Sequence, residues 1–132
     1  MTLESQVVSL PLAKRMKELG VKQGTSLFHW LSRPWEKAPF LYKFDEPGDA
    51  EKDDKDCWSA FTVGELGEML PTHHCMRQHE GNVTKGWVAW TNEHGAPIST
   101  MALEPTEADS RAKMLIYLIE QGLVKASPSE KP

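Results

Sequence analysis

The chain has 132 residues, with 15 Lys and Arg against 19 Asp and Glu, and it is 39% hydrophobic and 26% charged. That length predicts a single domain with an adequate core, and the composition sets aside membrane-spanning, fibrous and wholly disordered classes. Two cysteines cannot build a disulfide scaffold, and the N-terminal MTLESQVVSLPLAKR lacks the basic start, apolar core and cleavage site of a secretion signal, so a reducing cytoplasm is expected.

The first predicted helix covers about 10–19, with Ser9 as N-cap, Pro11 in the first turn and Gly20 as a left-handed stop. Ser26–Leu31 (SLFHWL) and Phe40–Phe44 (FLYKF) read as strands, being short aromatic and β-branched runs. Residues 45–56, DEPGDAEKDDKD, hold seven acids against two lysines and no apolar residue larger than Ala50. They predict a solvated loop dividing two packed halves. A calcium loop does not fit, because Gly48 misses the turn position and no bidentate Glu closes the spacing. By contrast, residues 1–43 carry seven basic residues against three acidic ones.

A second helix is predicted over about 63–70, where Thr62 and Glu65 form a capping box, Phe61 can staple onto Leu66, and Pro71 ends the run. Gly64 and Gly67 on one of its faces suggest the close approach of a neighbour. Residues 72–80 follow as a polar, His-rich loop. Lys85–Thr91 (KGWVAWT) and Pro97–Leu103 (PISTMAL) make a hairpin through Asn92-Glu93-His94-Gly95. The third helix opens at Thr106-Glu107-Ala108-Asp109, closes at Gly122, and carries Ala108, Ala112, Leu115, Ile116 and Ile119 on one stripe. A frayed tail is expected from about 125 to 132. The order of elements lacks repeated strand–helix alternation, so the expected fold is α+β, three helices packed on a small antiparallel sheet of about four strands.

Ten of the eleven aromatic residues lie between 28 and 90. Side-chain alternation makes Trp87 and Trp90 point to opposite sheet faces, so Trp on a second face is either covered or left as an interface patch. Trp30, Trp87 and Trp90 are the candidate contacts with a protein partner or with a second copy in a homodimer.

Two other chemistries compete. Lys14, Arg15 and Lys17 cluster on the polar side of the first helix, and FTVGELGEMLP followed by 72–80 has the outline of a helix-turn-helix unit. Against nucleic acid stand the single Arg and absent Lys of 72–80 and the acidic balance of the whole. If 72–80 were helical, Cys75 and His79 would share a face and could join His73 or Cys57 around zinc, but no C-x-x-C or C-x-x-H pair supports it. A Cys75 nucleophile would need a base, an orienting group and an oxyanion hole that the sequence does not supply. No phosphate loop, dinucleotide turn or nucleophile elbow is present. No catalytic residue, metal or cofactor is therefore assigned, and no membrane partner is expected.

Phe61–Pro71 (FTVGELGEMLP) and Thr106–Leu123 (TEADSRAKMLIYLIEQGL), preceded by VVSLPLAKRMKELGVKQGTSLFHW, resemble small proteins encoded by bacteriophages, prophages and mobile elements, phage-related proteins of unknown function. The resemblance covers about half of the chain and leaves out 45–56 and 72–80. It implies a phage or prophage origin and a bacterial host cytoplasm, and it implies no activity. The sequence thus reads as a phage-related accessory protein acting as a non-catalytic interaction module, with a weak nucleic-acid binder and a small metal-binding protein as alternatives.

Overall fold

A computed structural model describes residues 2–23, 26–43, 56–71, 73–81, 83–91, 98–99 and 103–125. The predicted acidic loop up to residue 55 and the tail from 126 lie outside them. The fold is α+β. A short 3₁₀ turn (Leu3–Gln6) precedes α1 (Leu10–Glu18), β1 (Phe28–Leu31), β2 (Phe40–Lys43), β3 (Cys57–Ala60), α2 (Val63–Met69), β4 (His74–Glu80), β5 (Val83–Thr91), β6 (Ile98–Ser99) and α3 (Glu107–Glu120). The strands form two antiparallel sheets of three, ordered β2-β1-β3 and β4-β5-β6, rather than one sheet of four. Among the described residues no helix is long and apolar enough to cross a membrane.

The helix ends follow local chemistry. Gly20 and Gly122 take positive φ (93° and 74°) just past α1 and α3. At α2 the capping box is complete: the Thr62 hydroxyl accepts from Glu65 N at 3.2 Å, and Glu65 Oε1 accepts from Thr62 N at 2.9 Å. Thr106 Oγ1 likewise accepts from Asp109 N at 3.1 Å. The carboxylates of Glu65 and Asp109 also reach outward, which nothing local announces. Glu65 Oε2 accepts from Leu27 N at 3.1 Å, and Asp109 Oδ1 accepts from Ser9 N at 2.7 Å. Ser9 holds the N-cap position of α1 as expected, yet its side chain makes no capping bond.

The main core gathers Met16 of α1, Leu66 of α2, Ala89 of β5 and Ala112, Leu115 and Leu118 of α3, with Phe61 leading into α2. Paired residues of an antiparallel sheet share a face. In the first sheet Trp30 lies opposite Leu41 and Trp58, and this face packs on the core. The other face sets His29 beside Tyr42 and Ser59, and Leu31 beside Phe40 and Cys57 in a small second cluster.

Strand β3 is a sheet edge, and Lys17 of α1 and Gln23 of the connection after it cover it. Lys17 Nζ donates to Cys57 O at 2.9 Å, while Gln23 Oε1 accepts from Ser59 N at 2.8 Å. Covering exposed backbone groups in this way removes a template for pairing with another chain. In the second sheet Gly86, at φ 143°, lets the chain at Glu104 come close. A Cβ there would stand 2.8 Å from Glu104 O. The approach allows Trp87 and Glu104 to exchange backbone bonds of 2.8 and 3.0 Å, which sets the entry to α3.

Residues 73–80 correct the sequence reading. From His74 to Glu80 they form neither a loop nor a helical turn but the edge strand β4, paired with β5 from His74↔Trp90 to Glu80↔Val83, with a register shift at Gln78/His79. The strand exists because β5 offers it a ladder. Alone, HCMRQHE has too little apolar alternation to announce a strand.

Candidate functional site

The three tryptophans singled out from the sequence are largely absorbed by the fold. Trp30 is half-buried and packs on the core, its indole N–H donating to Val8 O at 2.9 Å. Trp87 and Trp90 do lie on opposite faces of β5. The Arg77 guanidinium sits 5.8 Å from the Trp87 ring, and His74 stacks on Trp90 at 5.1 Å. Between Trp87 and the start of α3 lies a cleft of about 150 Å³, lined also by Val63, Pro105, Thr106 and Glu107. Small-molecule sites enclose roughly 300–1,000 Å³, so this cleft is the size of one side chain.

Trp35, which is not among the three candidate tryptophans, is the most exposed of the large apolar side chains among the described residues. It is 75% exposed, in the turn between β1 and β2. A Glu36 N to Arg33 O bond of 3.0 Å closes that turn, and 34–39 are exposed throughout. On the following strand Tyr42 is 48% exposed, with Lys43 exposed beside it. The signal was present in Arg33-Pro34-Trp35-Glu36-Lys37-Ala38-Pro39. Two prolines and no alternation put a Trp where no sheet face can receive it.

The basic residues of α1 are engaged within the chain. Lys14 Nζ stands 4.9 Å and Lys17 Nζ 5.9 Å from the centre of the Trp58 ring, in cation–π range. Arg15 donates to Glu120 Oε2 at 2.7 and 3.2 Å and to Glu18 Oε1 at 3.3 Å, and these carboxylates raise its pKa further. Phosphate binding would have to compete with each of these contacts.

The candidate ligands Cys57, His73 and Cys75 have separate surroundings. Among the described residues no group of three or more His, Cys, Asp or Glu side chains is placed to hold a metal ion. Cys57 packs with Leu31 in the small cluster, whereas Cys75 packs on the main core and donates to Ser110 Oγ at 3.7 Å. The side chain of His79 lies outside the described residues.

His73 joins a polar chain instead. Its Nδ1 lies 2.9 Å from Pro71 O, and its Nε2 meets Nη1 of Arg111. Arg111 grips Glu107 Oε2 through Nη2 at 2.6 Å and Nε at 3.1 Å. Its Nη1 lies 3.6 Å from where a Cβ on Gly67 would be, an ordinary contact, and Gly64 faces open space, so the close approach expected at these glycines of α2 is not what the fold shows. Burial pushes the Cys75 thiol up and His73 down. Both shifts oppose the thiolate–imidazolium pair that cysteine catalysis requires.

The comparisons with known proteins return no matching family model, no similar curated protein and no similar solved structure.

Proposed function

We propose that this chain is a non-catalytic protein-interaction module, an accessory protein of phage or prophage origin, whose contact surface centres on Trp35. The observation that carries the reading is the 75% exposure of that ring. Leaving a large aromatic in water forgoes on the order of 1.5–3 kcal/mol of burial, a loss that a partner's pocket would recover. Trp, Tyr and Arg are the residue types that most often dominate binding energy at protein interfaces, and Trp35 stands on one hairpin with Tyr42 and Arg33. The Cys75 thiol bonded to Ser110 and the His73 ring engaged by Pro71 O and Arg111, rather than by each other, support the non-catalytic part of the reading.

A photoreactive phenylalanine analogue placed at position 35, in the full chain expressed in a bacterial host, tests it. One discrete adduct is expected, identified by mass spectrometry as a single protein or as a second copy of the chain. The same analogue at Leu123, which is also exposed, serves as control. No adduct at position 35, or the diffuse pattern given by the Leu123 control, would refute the proposal.

A further inference from the structure

At the junction of α2 and β4, away from the hairpin, His73 uses both of its ring nitrogens. A guanidinium has only N–H groups to offer, so where Arg111 Nη1 meets Nε2, the imidazole must accept. A carbonyl can only accept, so at Pro71 O the ring must donate from Nδ1. A ring with its proton on Nδ1 and a lone pair on Nε2 is neutral.

We infer that His73 is a proton-sensitive latch, which fastens the α2–β4 connection to α3 through Arg111 while neutral and releases it when protonated. A proton on Nε2 removes the acceptor and sets a second cation against the guanidinium. Arg111 then keeps Glu107, to which it is already bound through Nε and Nη2. The groups that act on the ring are Arg111 from α3, His74 from β4, and the Pro71 carbonyl just past α2, while Glu107 of α3 reaches it through Arg111. Burial lowers the affinity of His73 for a proton; the Pro71 bond opposes this, and the charges of Arg111 and His74 add to it. Release is local, because β4 stays paired with β5 and its Cys75 thiol still meets Ser110, with burial pushing that thiol's titration further above the imidazole range.

Long-range ¹H–¹⁵N spectra of the imidazoles, followed against pH in the full chain, test the latch, with His73→Gln assigning the signal. At neutral pH His73 is expected to carry its proton on Nδ1, and to titrate with a midpoint below the ordinary 6.5. The backbone amides of Cys75, Ser110 and Arg111 should move with that midpoint, and this movement should vanish in His73→Gln, whose amide oxygen can accept from Arg111 without titrating. In Arg111→Met the midpoint should rise. A proton found on Nε2 at neutral pH in the unaltered chain would overturn the inference, and that measurement needs no variant to fold. So would a midpoint unmoved by Arg111→Met, or amide shifts that persist in His73→Gln.

Discussion

Trp30 and Trp35 stand five residues apart in one hairpin and meet opposite environments. Trp30 lies in β1, where alternation aims it at the core and Val8 O receives its N–H. Trp35 lies in a turn between two prolines, and among the described residues it is 75% exposed. The difference teaches that an aromatic residue is made core by the regular backbone around it, which repeats its direction toward a common partner, and not by its own hydrophobicity.

Truncating the first of the pair is the strongest way to break this contrast. Trp30→Ala should cost about 3 kcal/mol of stability, read from urea unfolding, because it removes packing and orphans Val8 O. A loss below about 1 kcal/mol would mean that Trp30 is no more structural than Trp35.

Gly86→Ala probes the second sheet in the same way. The strained φ and the encounter with Glu104 O should together cost about 1–3 kcal/mol, with the Trp87–Glu104 bridge lost. Unchanged amide protection at Trp87 and Glu104 would contradict it.

Acid should sharpen the contrast between buried and exposed parts. Burial holds both His29 and His73 below the ordinary imidazole value of 6.5. The unfolded chain therefore takes up protons first as pH falls. Their contribution is fully present above about 6.5 and is lost as pH drops from there through the folded-state values. Urea midpoints measured from pH 7.5 downward should decline in that window, and His73→Gln should reduce the slope.

The smallest expected effect completes the comparison. Trp35→Ala should change stability by no more than about 0.5 kcal/mol, while weakening the proposed partner contact by about 2 kcal/mol or more. Marked destabilisation would show that Trp35 has a structural role after all.

Much of the fold was legible in the residues, and the parts that were not share a cause. Thr62 with Glu65, Thr106 with Asp109, and Gly20 and Gly122 announce helix ends because the groups they satisfy lie within one turn. The opposite facing of Trp87 and Trp90 was legible from alternation alone. Strand β4 was not: its residues resemble a polar loop, and only the ladder of β5 makes them a strand. The exposure of particular tryptophans was not legible from alternation. Alternation pointed to Trp30, Trp87 and Trp90, and it is the packing that half-buries these three while leaving Trp35 75% exposed.

By itself, then, the sequence determined where the helices start and stop and which class of fold results, since caps, stops and periodic apolar stripes act between near neighbours. Tertiary structure alone decided which tryptophan meets water, that Asp109 ties α3 to Ser9, and that His73 meets Arg111 across 38 residues of chain. Those outcomes depend on partners brought together by packing, and a hydrogen-bonding group carries no local mark of a partner that only the folded chain supplies.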